Sequence, residues 1–196
     1  MWFSKKDIDK SEYSVSDINE MFHSSKSQRE LAFTYIYNKY SNKLYAYCLR
    51  ITDSKQDADD VFQETFTSFL NINPDKIEFS NISAYLIKIA RNIELNNKRD
   101  KKKLSYNFED FDFLFYNDEN DKLERKEEME IISRAMELLE FNHREIFVLR
   151  QYNNMDYDEI SEITNTSIPA LRNRYFRARE KLKEILEPIL KEKINI

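Results

Sequence analysis

No glycine occurs among the 196 residues of this chain, and that absence narrows its fold and chemistry more than any other feature. Turns at positive φ then fall to Asn or Asp, which reach the left-handed region at least cost after glycine. Glycine-cradled phosphate sites are excluded, and with them the Walker and Rossmann nucleotide-binding loops. Only three prolines are present, so long stretches rich in Leu, Ile, Glu, Lys and Arg run without a breaker. They predict an all-helical chain.

Chemistry of other kinds finds little support. His23 and His143 are the only histidines, Cys48 is the single cysteine, and no HExxH or CxxC spacing exists. His143, in FNHREIF, reads as a surface or helix-start residue. The carboxylates fall mainly on polar helix faces. No catalytic residue, metal site or cofactor is expected, and the chain reads as a non-enzyme. Cys48 lies in an apolar stretch that assigns it to a core and suits a reducing compartment. No apolar run approaches the ~20 residues of a membrane span, and MWFSKKDIDK lacks a signal-peptide hydrophobic region. A cytoplasmic protein with no membrane association is expected. The net charge of −5 argues against a nucleic-acid partner until its distribution is considered, because phosphate contact depends on local charge.

Periodicity divides the chain into an N-terminal extension (1–25), a first helical module (26–103), a linker (104–125) and a second helical module (126–196). The extension is weakly patterned, with a short helix over Asp17–Phe22 that is expected to fray. From Glu30 to Ile51 apolar residues recur at three and four. Asp53 and Gln56 have capping-box spacing and open a helix running to Ile72, before Pro74. After a loop, Asn73 to Ser80, a helix marked by Ile82, Leu86, Ile89 and Ile93 ends in the basic run Lys98–Lys103. The linker has no Lys or Arg from Leu104 to Asp121 but six acids among Phe108, Phe111, Phe113, Phe115 and Tyr116. It reads as a flexible acidic tether, or as a segment that docks into a basic groove in imitation of nucleic acid.

In the second module Asp156 and Glu159 repeat the capping-box spacing and open a short helix. Asn165 follows as the left-handed turn residue. Ser167 can cap a longer helix, with Pro169 tolerated in its first turn. This order makes a helix-turn-helix. The second helix carries Arg172, Arg174, Arg177, Arg179, Lys181 and Lys183 against Glu180, while Leu171, Tyr175, Ala178 and Leu182 keep an apolar face. It reads as a recognition helix, with arginine able to grip guanine edges, Asn173 able to pair with adenine, and the later arginines holding phosphates. A solvated surface helix is the plain alternative.

The run FNHREIFVLRQYNNMDYDEISEITNTSIPALRNRYFRAREKLKEIL resembles the −35-binding domain of extracytoplasmic-function sigma factors, members of the bacterial sigma-70 family. The chain departs from the family in having Asn154 where Gly is frequent and Pro169-Ala170 where Gly-Thr is frequent. The first exchange suits the backbone; the second removes a hydroxyl and bears on which −35 bases are read. The resemblance implies Ser167, Arg172, Asn173, Arg174, Arg177 and Arg179 as −35 contacts.

The first module resembles the same family. In DSKQDADDVFQETFTSFLNI, Asp57, Asp60 and Glu64 form an acidic stripe beside Gln63, opposite Ala58, Phe62, Phe66 and Phe69. Alone, such a stripe is an ordinary solvated face; the resemblance implies that Asp57, Asp60, Gln63 and Glu64 meet the beta-prime clamp helices of RNA polymerase. NISAYLIKIARNIELNNKRDKKK resembles the −10-reading helix, which implies contacts from Lys76, Asn81, Tyr85, Lys88, Arg91, Asn92, Asn96, Lys98 and Arg99. The loop Lys76–Asn81 would form a pocket for a flipped base, and Tyr85 is either a stacking surface or core.

The implied partners are core RNA polymerase, through the clamp helices and the beta flap, promoter DNA, and an anti-sigma factor or other recruiting protein. The implied function is promoter-specific transcription initiation. A rival reading keeps the helix-turn-helix but makes the chain a stand-alone regulator whose first module binds a protein partner.

Overall fold

A computed structural model describes residues 12–101 and 131–194. The acidic linker, Lys102 and Lys103 therefore lie outside the described residues, as do residues 1–11. Among the described residues every regular element is helical. The first module contains α1 (Val15–His23), α2 (Lys26–Ile51), α3 (Lys55–Leu70), a 3-10 turn (Pro74–Lys76) and α4 (Ile82–Lys101). The second contains a helical stretch over residues 131–137, here α5, then α6 (Phe141–Gln151), α7 (Tyr157–Thr164) and α8 (Ile168–Ile194).

Local chemistry accounts for the boundaries. The stretch expected to fray instead forms α1, because Ser14 and Asp17 complete a capping box and Ile18, Met21 and Phe22 are buried. The cap of α3 falls one residue later than the spacing predicts. Ser54 caps it, accepting from the Asp57 backbone N–H at 3.0 Å, while Asp53 points away to Lys98 at 2.6 Å and Arg144 at 3.5 Å. The predicted capping box of α7 is present, with Asp156 and Glu159 each accepting from the other's backbone N–H. Asn165 closes α7 at φ 51°, and Asn154 takes the same φ before it. In a chain without glycine, both left-handed positions among the described residues fall to asparagine.

The first core gathers Ile18, Ile36, Tyr47, Ile51, Val61, Phe69 and Leu86; the second gathers Ile146, Leu149, Ile160, Leu171 and Ala178. Cys48 is wholly buried among the former, and burial pushes its thiol up. The cores are continuous. Helix α2 packs on α6, and α4 on α7, so the two modules lie directly against each other.

Candidate nucleic-acid interface

On α3, Asp60, Gln63 and Glu64 are exposed along one side, while Ala58, Val61, Thr65, Phe66 and Phe69 are buried on the other. Asp57 is half-buried in the first turn. Two adjacent aspartates part company here. Asp59 accepts from the Tyr45 hydroxyl at 2.7 Å; burial and that bond push the Tyr45 phenol up to about 12. Asp60 faces solvent beside it.

Helix α4 divides its polar residues between two faces. Lys88, Asn92, Asn96 and Arg99 form an exposed stripe, with Arg99 bonded to the Asn96 amide oxygen at 2.6 Å. Arg91 and Lys98 are half-buried toward the second module. Arg91 Nε donates to Glu145 Oε1 of α6 at 2.8 Å, and the Tyr47 hydroxyl donates to the same oxygen at 3.3 Å. Burial holds the Glu145 carboxyl above its ordinary range despite the pull of Arg91. Lys98 reaches Asp53 at 2.6 Å and Glu94 at 3.2 Å, and its ammonium lies 5.3 Å from the Phe141 ring centre. Burial outweighs Lys98 at Glu94 and lifts that carboxyl to about 7.

The loop before α4 is anchored from a direction that periodicity did not reveal. The Asn19 side chain of α1 accepts from the Phe79 N–H at 2.8 Å and donates to the Phe79 carbonyl at 2.9 Å. The Phe79 ring is buried against Phe22, Phe69 and Tyr85. Tyr85 is half-buried, its ring edge-on to Phe79 and Phe69. Lys76 is exposed at its start. At its end Asn81 caps α4, accepting from the Ala84 N–H at 3.0 Å, and its side-chain N–H donates to Glu159 Oε1 of α7 at 2.6 Å.

On α8 the exposed residues include Arg172, Asn173, Phe176, Arg177 and Arg179, while Leu171, Ala178 and Leu182 are buried. Exposed Ser167 opens the helix, its carbonyl accepting from the Leu171 N–H at 3.0 Å. Arg174 is half-buried and donates to Thr166 Oγ1 at 3.4 Å. Arg172 and Arg150 flank the Tyr157 ring at 5.6 Å and 4.6 Å from its centre. An open groove of about 540 Å³ runs between the starts of α6 and α8, lined by His143, Asn173, Arg174 and Arg177 among others. Phe176, 64% exposed, escaped the sequence reading. Its signal was phase: it is a large apolar residue lying off the buried stripe, inside a run of arginines.

A helical chain with an acidic helix in one module and a basic helix-turn-helix in the other defines the class: a multi-part DNA-binding factor. Sigma-70 region 2 matches residues 36–104, and Sigma-70 region 4 matches residues 129–182. The chain is 30% identical over 152 residues to the ECF RNA polymerase sigma factor SigM of Bacillus subtilis, covering 76% of this chain and 92% of that one. It is 28% identical to the RNA polymerase sigma factor YlaC of the same organism, covering 76% and 88%. Among solved structures, the sigma factor RpoE in complex with the anti-sigma factor NepR, from Bartonella quintana, superposes with a TM-score of 0.68 at 19% identity, covering 79% of this chain and 96% of that one. CnrH in complex with the cytosolic domain of CnrY gives 0.57 at 20%, covering 89% and 97%. The chain belongs to the extracytoplasmic-function sigma factors of the sigma-70 family. As such it directs promoter-specific transcription, with core RNA polymerase and promoter DNA as its partners.

Proposed function

We propose that the three residue sets divide the work of initiation. Asp60, Gln63 and Glu64, with Asp57 at their edge, hold a basic surface of polymerase. Lys88, Asn92, Asn96 and Arg99, together with Arg91, Lys98 and the Lys76–Asn81 loop, handle the −10 strand. Arg172, Asn173, Arg174, Arg177 and Arg179 contact the −35 duplex, with Ser167 at the mouth of the helix and Phe176 offering an apolar contact to a thymine methyl. The polymerase performs the chemistry, and this chain acts in the cytoplasm as its dissociable specificity subunit. An anti-sigma or recruiting protein is a further expected partner, since the sigma factor RpoE of Bartonella quintana is seen in complex with the anti-sigma factor NepR.

The supporting observation is that Asp60, Gln63 and Glu64 of α3 and Arg172, Arg177 and Arg179 of α8 face solvent opposite their helices' buried stripes. Such polar faces are available to a partner without unpacking the core. Reversing Asp60 and Glu64 to Lys should abolish binding to core polymerase in a pull-down; normal core affinity would overturn that assignment. Arg172→Ala should weaken binding to a −35 duplex by about 1–3 kcal/mol if it reads a base. An unchanged sequence preference would remove it from the reading set.

A further inference from the structure

The loop before α4 is fixed at both ends by local asparagine turns. The Asn73 side-chain oxygen accepts from the Asp75 N–H at 3.0 Å, and that of Asn81 from the Ala84 N–H at 3.0 Å. Its middle is fixed from elsewhere. One side-chain amide, Asn19 of α1, supplies both an acceptor for the Phe79 N–H at 2.8 Å and a donor to the Phe79 carbonyl at 2.9 Å. A single bond would leave a pivot, whereas two bonds to one residue's main chain fix its orientation as a neighbouring strand would. The Phe79 ring is sunk against Phe22, Phe69 and Tyr85, with 5.0, 5.7 and 5.4 Å between ring centres. Glu78 and Ser80, on either side of it, are exposed. Pinning Phe79 therefore also sets where those two side chains stand. The clamp is itself firmly held: a capping box opens α1, and Ile18, Met21 and Phe22 are buried around the half-buried Asn19. The Sigma-70 region 2 match begins at residue 36, so α1 lies ahead of it.

Resting on the −10 assignment, we propose that Asn19 is a positioning residue for base recognition, acting through Phe79 to hold the Lys76–Asn81 loop in the shape that takes a flipped base. Phosphates and bases place different demands on a surface. A cation on a long side chain follows a phosphate wherever the backbone runs, so the exposed Lys76, Lys88 and Arg99 attract a strand without a fixed loop. Reading a base edge requires donors and acceptors already in place, and a loop that must order itself on binding gives up part of the affinity it gains. Asn19 thus bears on which base is taken, and the cations on whether a strand is held. In this role α1 belongs to the reading apparatus without touching DNA.

The test uses the full chain assembled with core RNA polymerase and a pool of random-sequence single-stranded DNA. Sequencing the bound fraction gives the base preference at each position of the enriched motif. Asn19→Ala should lower the preference at one position about tenfold, leaving the other positions, total strand capture and affinity for core polymerase at the parent's level. Asn19→Asp is the second variant. Equal in size, it keeps the acceptor for the Phe79 N–H but sets an oxygen against the Phe79 carbonyl, and the same position should lose its preference. Its added charge acts on all four bases alike, so the ratio between bases still reports the loop. Ile51→Val destabilises the same module from the end of α2 that adjoins the start of α3, whereas Phe79 packs on Phe69 near the other end of α3; it should leave every preference intact. An equal loss in Ile51→Val, or a loss spread evenly over the motif, would trace the effect to general stability and overturn the proposal. An intact preference in both Asn19 variants overturns it too, with the −10 assignment still standing. A parent holoenzyme that enriches no base overturns the −10 assignment and the proposal together.

Discussion

Glu94 is a residue whose environment conflicts with its charge. Its carboxyl titrates near 7 in the folded chain against an ordinary value of 4.5. Between those values the folded state holds a proton that the unfolded state has released, so stability falls as pH rises through this window and levels off above it. The loss should amount to about 2–3 kcal/mol. Urea denaturation at about pH 5 and about pH 8 measures it, and Glu94→Gln, which imitates the protonated form, should flatten the slope. A slope unchanged by Glu94→Gln would place its origin elsewhere. Asn165 makes a second prediction at this scale. With φ at 51°, Asn165→Ala should cost about 1 kcal/mol and Asn165→Gly almost nothing; equal losses in thermal melts would contradict the left-handed turn.

Among the elements, α4, α7 and α8 were the most legible in the sequence. Their apolar phase, the capping box of α7 and the asparagine between α7 and α8 are local signals, and each acts within a few residues. The start of α3 shows where local reading fails. Asp53 has the right spacing for a cap, yet Lys98 and Arg144 compete for its carboxylate from 45 and 91 residues away, and Ser54 takes the cap instead. The same holds for α1, whose Asn19 pairs with Phe79 across 60 residues. No periodicity could announce that bond. Asn19→Ala strands both backbone groups of Phe79 and should destabilise the first module by about 1–3 kcal/mol. Amide exchange should rise first in the Lys76–Asn81 loop. Protection that falls uniformly across the module would deny Asn19 its role in fixing the loop.

For the molecule as a whole, two modules and their order could be read from the chain, but their contact could not. Glu145 sits in FNHREIF as one polar residue among several, and nothing nearby shows that it is 2% exposed and faces Arg91 from 54 residues away. The position of α6 against α2 gives the chain one continuous core. Calorimetry of the intact chain should therefore record a single cooperative transition. Two transitions in the parent chain would mean that the modules melt independently despite their contact.

The Arg91–Glu145 pair also bears on how such a chain spends its time in a cell. A genome offers roughly a million to a billion decoy sites to any protein that displays its phosphate-binding side chains. Each exposed cation lengthens the stay on a wrong one. While Glu145 holds Arg91, that guanidinium adds nothing to such a stay.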